Sequence, residues 1–320
     1  MQLPLRLTLI LCILLGATSC TPEPTHPFRV GVNLWPGYEF LYLAQEKGFF
    51  KERGVDLRLV EFNSLSDARR AYERGQLEAL ATTLIELLQI RDQSKRKPQV
   101  VRVIDYSTGA DSIIARAGIS SGNALKGARI GVELASLGVY VLARGLEANG
   151  LTLGDISALS MDQLSIEEAF RAGDIDAAVT YPPVANRLLS LPGASVVFST
   201  AQIKGEVVDV LVVDAEAIQR RPQVVAALLG GFAQAQDYLT ENPEDGYGIM
   251  ARREGLSVEE FKAALHGGIT MLTAQEQAPY FGSNGKLLQL MKTTAGVLKR
   301  TGQISSDHVP QDLVSDAFVK

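Results

Sequence analysis

GVNLWPGYEFLYLAQEKGFF, Gly31 to Phe50, contains the unit that the rest of the chain repeats. A short apolar strand stops at Leu34. The chain's only tryptophan, Trp35, follows, then Pro36-Gly37, then a helical run that ends at Gly48. Strand, aromatic loop and helix start form the building unit of an open α/β sheet. A side chain just past the carboxyl end of the strand, beside helix N–H groups without intrahelical partners, stands where such sheets bind ligands. Trp35 is therefore either a ligand platform or an apolar plug under the turn.

The pattern extends along the chain. Arg29 to Leu34 alternates as a strand, and the helix from about Tyr38 to Phe50 directs Phe40, Leu41, Leu43 and Ala44 toward a core. Asp56 to Phe62, Leu77 to Ala81 and Val100 to Asp105 read as further strands. Helices at Leu65 to Arg74, capped by Ser64 or Ser66, and at Leu84 to Arg91 separate them. Thr83 and Glu86 have the spacing of a capping box. This βαβαβαβ order implies a parallel sheet with helices on its faces.

Gly109-Ala110-Asp111 interrupts the order, and a second series begins. Its strands are Ser112 to Ala115, Arg129 to Glu133, Ile156 to Met161, Ala177 to Thr180, Ser195 to Ser199 and Val207 to Val213. Its helices run from Ser136 to about Asn149, from a Ser165–Glu168 capping box to Gly173, and from Pro183 to about Leu191. From Asp214 onward helix follows helix: Pro222 to Leu239, Pro243 to Arg253, Val258 to Leu265 behind a Ser257–Glu260 capping box, and Gly285 to Arg300. Two α/β series and a helical tail imply two lobes. Lobe I comprises residues 28–111 and 214–320, lobe II residues 112–213, and two extended segments, near Ser112 and near Val210, cross between them.

The 320 residues are 46% hydrophobic and 21% charged, which excludes wholesale disorder and suits a two-lobed chain. Net charge is −5 and there is no basic stripe, so a nucleic-acid partner is excluded. The one dense cationic run, Arg91 to Lys97, reads as a solvated loop between a helix and a strand. At the N-terminus, positive charge at Met1 and Arg6 and an apolar run through Leu15 suit a secretory signal, and the run is too short to span a bilayer. Leu-Gly-Ala-Thr-Ser-Cys then resembles a bacterial lipobox, with residues 1–19 as signal peptide and Cys20 as lipidation site. Ala17 sits where leucine is commoner, and a plain cleaved signal is the alternative. Residues 20–27 form a Thr/Pro/Glu-rich tether. The two cysteines, Cys12 and Cys20, leave the mature domain without thiol, disulfide or cysteine-ligated metal. His26, His266 and His308 are far apart in sequence, so no metal site and no cofactor is expected.

At this point a family resemblance emerges. One set of residues is Trp35-Pro36-Gly37-Tyr38-Glu39, Gly48-Phe49-Phe50, Ser64-Leu65-Ser66-Asp67 and Gly109-Ala110-Asp111; another is Leu125-Lys126-Gly127, Gly173-Asp174-Ile175-Asp176-Ala177 and Thr180-Tyr181-Pro182-Pro183. In this order they resemble the periplasmic substrate-binding proteins of ABC importers for nitrate, sulfonate, taurine and thiamine precursors. The specificity lies in the ordered set, which covers nearly the whole mature chain. The resemblance implies a type II periplasmic-binding-protein fold, a ligand in the interlobe cleft and ABC permease subunits as partners; with the lipobox reading of the N-terminus, we expect a monomer anchored to a bacterial membrane through Cys20. The same family extends to a pyrimidine synthase that depends on a cysteine-rich segment. That segment is absent here, so we expect a binding protein and not an enzyme. A ligand-sensing lipoprotein that signals to a membrane partner is the alternative.

Five loops line the cleft if each follows a strand end. Asn33 to Glu39 supplies Asn33, Trp35 as a stacking surface and Tyr38 as a hydroxyl. Thr82-Thr83 supplies Thr83 as a helix cap or as an N–H donor to an anion. Asp111 offers a carboxylate to a ligand amine or caps the hinge. Ala135-Ser136-Leu137-Gly138 resembles the family's small-residue loop that donates to the ligand's polar end, with Ser136 otherwise an ordinary N-cap. Thr180-Tyr181-Pro182-Pro183 supplies Thr180 and Tyr181, the latter facing Trp35 from the other lobe. No Arg or Lys lies in these loops, and Glu39, Asp111 and Glu133 stand near them. This balance favours a small organic ligand carrying an amine or aromatic nitrogen over nitrate.

Overall fold

The computed structural model describes residues 26–319. The expected signal peptide, Cys20 and all but the end of the tether lie outside the described residues. The strands in chain order are β1 (Phe28–Asn33), β2 (Leu57–Phe62), β3 (Ala79–Thr83), β4 (Pro98–Ser107), β5 (Ser112–Ala115) and β6 (Arg129–Val132). They continue with β7 (Ser157–Ser160), β8 (Ala177–Thr180), β9 (Ser195–Ser199), β10 (Val208–Asp214) and β11 (Ile269–Met271). The helices are α1 (Glu39–Glu46), α2 (Phe49–Glu52), α3 (Leu65–Glu73), α4 (Leu84–Gln93), α5 (Leu137–Glu147) and α6 (Gln163–Ala172). After them come α7 (Val184–Leu189), α8 (Ala215–Arg220), α9 (Pro222–Glu241), α10 (Pro243–Glu254), α11 (Val258–Gly268) and α12 (Lys286–Arg300).

The strands make two sheets of one design. The first has the order β11-β4-β10-β3-β1-β2 and the second β7-β6-β8-β5-β9. In each, three parallel strands sit beside a strand that enters from a crossing segment and runs antiparallel to its neighbours. The first sheet is therefore mixed, not parallel as the βαβαβαβ order implied. β10 separates β3 from β4, a pairing that no local pattern announces. It also moves the lobe boundary. The expectation put everything through Val213 in lobe II, but β10 hydrogen-bonds along its whole length inside the first sheet. The crossings are residues 108–111 and 200–207.

Local chemistry explains most element ends. Gly48, at φ +79°, adopts the left-handed region that side chains avoid, and it splits the expected long helix into α1 and α2. The Thr83–Glu86 and Ser257–Glu260 capping boxes are present. The Ser165–Glu168 box is not: Asp162 caps α6 by accepting from the Ser165 N–H, because α6 starts earlier than expected. The Arg91–Lys97 run is less solvated than expected. Arg91 pairs with Asp312, and Arg96 pairs with Asp214 and lies over the Tyr72 ring.

The helical tail returns to the first sheet. Phe40 of α1 packs on Phe232 of α9 in an apolar cluster that includes Val30, Val32, Leu41, Leu211 and Phe261. A second cluster runs from Leu65, Leu84 and Leu88 in lobe I to Leu137, Tyr140 and Ile130 in lobe II, so the lobes share buried apolar surface. Such burial contributes about 25 cal/mol per Å². The crossings are tied together: the Ser107 and Thr200 hydroxyls are 2.6 Å apart, and the Thr200 hydroxyl accepts from the Gly109 N–H at 2.9 Å. Gly109 has φ +147°, a conformation that glycine adopts without strain.

Candidate functional site

β1 ends at Asn33 and the chain turns through Trp35 into the short helical turn Pro36–Tyr38. β3 ends at Thr83, which caps α4. Across the sheet, Thr83 stands opposite Asp209 of β10, and Asp209 stands opposite Asp105 of β4. Three neighbouring strands thus present one polar row. The turn after β1 folds over this row. The Trp35 indole N–H donates to Asp105 Oδ2 at 3.1 Å, and the Tyr38 hydroxyl donates to Asp209 Oδ1 at 2.5 Å. Gly37 makes the fit possible, because a Cβ there would lie 2.0 Å from Asp105 Oδ2.

The second lobe closes over the row. Tyr181, following β8, meets Trp35 edge to face, with ring centroids 6.0 Å apart and planes at 76°. The Leu137 N–H at the start of α5 donates to Glu86 Oε1 of lobe I at 2.7 Å. At the rim, Arg300 of α12 pairs with Glu147 of α5 at 3.2 Å. The lobes are therefore closed on each other. Between them lies a narrow cavity lined by Asn33, Trp35, Tyr38, Leu65, Thr83, Asp111, Leu137, Tyr181 and Asp209. About 220 Å³ is free of protein atoms there, while room for water centres amounts to about 10 Å³, roughly that of one water molecule.

Six of the eight predicted ligand residues line this space: Asn33, Trp35, Tyr38, Thr83, Asp111 and Tyr181. Two do not. The Thr180 hydroxyl is turned to Gln163 Oε1 at 2.7 Å. Ser136 holds the N-cap position of α5 without capping it, and its hydroxyl donates to Glu133 Oε2 at 3.2 Å. Glu39, expected near the cleft, points to Arg253 on the far side of α1. Sequence reasoning missed Asp105, Asp209, Leu65 and Leu137. For the two aspartates a signal existed: a carboxylate inside an otherwise apolar strand is costly to bury and marks a site.

The electrostatics are one-sided. Asp105, Asp111, Asp209, Glu86 and Glu133 are all buried. Desolvation is the first cause that raises four of them, with neighbouring carboxylates adding to it. Asp111 is pushed up to about 7, Asp105 and Glu133 to about 8, and Asp209 well above the usual range. No Lys or Arg lines the cavity. Five buried oxygens here accept from no neighbouring donor group: Asn33 Oδ1, Asp111 Oδ2 and Asp209 Oδ2 on the lining, and Asp105 Oδ1 and Glu133 Oε1 behind it, with the Asp105 and Asp209 carboxyls paired to each other. Among the described residues no group of three or more metal-ligating side chains is placed to hold an ion.

Residues 35–246 match the family described as NMT1/THI5 like. The chain belongs to that family. Among NMT1/THI5-like relatives, the taurine-binding periplasmic protein of Escherichia coli K12 is 25% identical over 268 residues, 80% of this chain and 81% of that protein. The alkanesulfonate-binding protein SsuA from Xanthomonas axonopodis pv. citri, solved with bound MOPS, superposes with a TM-score of 0.75 at 18% identity, over 92% of this chain and 99% of that one. An enzyme is also among the similar proteins, the 4-amino-5-hydroxymethyl-2-methylpyrimidine phosphate synthase of Aspergillus parasiticus, 27% identical over 153 residues, 48% of this chain and 44% of the enzyme. The NMT1/THI5-like chain described here thus has the periplasmic-binding-protein fold and is a solute-binding protein of the ABC import type. Among the described residues no helix is long and apolar enough to cross a membrane.

Proposed function

We propose that this protein captures a small organic ligand containing nitrogen or sulfur beneath the Trp35–Tyr181 pair and delivers it to an ABC permease, as a monomer tethered to a bacterial membrane by a lipid on Cys20. The observation that carries this reading is the pairing of those two rings. They come from opposite lobes, meet only when the cleft is closed, and roof a cavity lined by both apolar and polar side chains. Asn33, Thr83, Asp111 and Leu137 stand within the same space. A ligand held there touches both lobes and so shifts the population toward the closed form. Micromolar binding corresponds to about −8 kcal/mol, within reach of a few hydrogen bonds and one ring contact. Binding, not catalysis, is the favoured reading. The mature chain has no cysteine nucleophile, and both Tyr38 and Trp35 already donate to buried aspartates.

The test is a thermal-shift screen of the mature protein against small amines, sulfonates and pyrimidines. A ligand at a hundredfold over its dissociation constant stabilises by about 2.7 kcal/mol. Recovery of that ligand unchanged supports a binder, and its conversion refutes one. Loss of its uptake on deletion of the gene supports delivery to a permease. Unchanged uptake favours a sensor. Labelled palmitate incorporated by the wild type and lost in Cys20→Ala supports the anchor, and incorporation by both refutes it.

A further inference from the structure

We infer that Glu86 determines the specificity of the cleft: it fills the anion position at the start of α5 with the protein's own carboxylate, so that the ligand is a nitrogen cation rich in N–H donors and an acceptor-only anion is excluded. The inference rests on the binding reading and narrows its ligand class.

The argument begins with the helix. The first N–H groups of an α-helix lack intrahelical partners and attract negative charge. Ser136 leaves α5 uncapped because its hydroxyl turns to Glu133. A ligand anion would find its donors here. Glu86, fully buried in the other lobe, occupies the place instead, and its Oε1 takes the Leu137 N–H at 2.7 Å. Its other oxygen is also satisfied. Oε2 accepts from the Thr83 hydroxyl at 2.5 Å and from the Thr83 N–H at 3.2 Å. The donor expected for an anion at Thr83, and the donor expected for the ligand's polar end at the start of α5, are both engaged by one internal carboxylate.

Three other donors of the site are engaged too. The Trp35 indole N–H goes to Asp105 and the Tyr38 hydroxyl to Asp209. The Asn33 amide N–H goes to the Leu34 carbonyl at 3.1 Å. Among the atoms left without a partner, Asp111 Oδ2 belongs to a residue that lines the cavity, and Glu133 Oε1 to the carboxyl that draws the Ser136 hydroxyl. An unsatisfied buried acceptor is costly, and a sulfonate or nitrate oxygen satisfies none of them. An ammonium or amidinium satisfies these oxygens and favours the ionised form of the carboxyls it touches. The upward displacement of Asp105, Asp111 and Glu133 agrees with a site that lacks its counter-charge.

The experiment uses the mature wild type and Glu86→Gln, with two probes that share a ring and differ in charge: benzamidine and benzenesulfonate. Dissociation constants come from calorimetry, and circular dichroism checks folding. The wild type is expected to bind benzamidine more tightly by about tenfold or more. In Glu86→Gln that ratio is expected to fall by about tenfold, with benzenesulfonate binding gained. The wild-type ratio stands as a test even if the variant fails to fold. Equal or tighter wild-type binding of benzenesulfonate overturns the inference. So does a folded Glu86→Gln with an unchanged ratio, or no binding of either probe to the wild type. None of these outcomes touches the broader binding reading, which fails only if the whole screen of amines, sulfonates and pyrimidines yields no ligand.

Discussion

The Trp35–Tyr181 contact gives the sharpest test of cleft closure. The rings belong to different lobes, and their 6.0 Å edge-to-face geometry lies within the range of favourable aromatic pairs. Such a pair contributes about 0.5–1.5 kcal/mol beyond the area it buries. That energy exists only while the lobes are closed, and 1 kcal/mol changes a two-state ratio by about fivefold. The perturbation is a double-mutant cycle: wild type, Trp35→Leu, Tyr181→Leu and the double variant, followed by urea denaturation with circular dichroism. Trp35→Leu alone is expected to cost more than Tyr181→Leu. It removes a largely buried indole and also strips Asp105 of its donor, a loss of about 1–3 kcal/mol. The coupling energy is expected near 1 kcal/mol. A value within about 0.3 kcal/mol of zero refutes the reasoning, because non-contacting sites add to that accuracy.

Three other outcomes are expected. Arg253→Met removes the cation that meets fully buried Glu39 at 2.6 Å and stacks on Tyr42 at 3.5 Å. Breaking a buried pair costs about 3–5 kcal/mol, so the melting temperature falls on the order of 10 °C, and Glu39→Leu in the same chain restores most of it. Gly37→Ala puts a methyl 2.0 Å from Asp105 Oδ2 and 2.9 Å from the Trp35 indole nitrogen. Overpacking of this kind costs about 1–3 kcal/mol, and displacement of the sole tryptophan shifts its fluorescence to the red. Finally, ligand-free protein loses stability as pH rises. Asp111, Asp105 and Glu133 hold their protons to about 7, 8 and 8 when folded, while unfolded carboxylates release theirs near 4. The folded state binds more protons between those limits, so the contribution is full below about pH 4 and lost through pH 7–8. Urea midpoints at pH 5, 6, 7 and 8 that rise instead of falling contradict this.

Much of the fold was legible because its signals are local. β8 and β9 have the predicted bounds, and Gly48 and the Thr83–Glu86 capping box act as their residue types dictate. The cleft residues on strand-end loops were legible for the same reason, and Trp35 and Tyr181 meet across the lobes as expected. The rest was not local. β10 enters the first sheet between two strands that precede it by more than a hundred residues, and only that insertion brings Asp209 beside Asp105 and under Tyr38, 171 residues away in sequence. Side-chain direction was the other gap. Ser136 and Thr180 stand at the right places in the chain, yet nearer partners, Glu133 and Gln163, draw their hydroxyls away.

The two kinds of interlobe contact pull in opposite senses, and their balance explains how a ligand can control closure. Glu86 to Leu137, Trp35 to Tyr181 and Arg300 to Glu147 each favour the closed form without any ligand. Burial of Asp111 and Asp209, which line the cavity without a counter-charge, opposes it, because water in the cleft lowers their desolvation cost. A ligand shifts such an equilibrium only by binding one form better than the other. Here the difference has a specific source: the acceptors that lack partners in the closed cleft are already hydrated in an open one. A donor-rich ligand therefore acts on the term that opposes closure and leaves the favourable contacts intact. An anion adds to the opposing term and meets Glu86 at the uncapped start of α5. On the proposed reading, Glu86 favours closure and also selects the ligand, while the unpaired carboxyls of the lining make closure depend on that ligand.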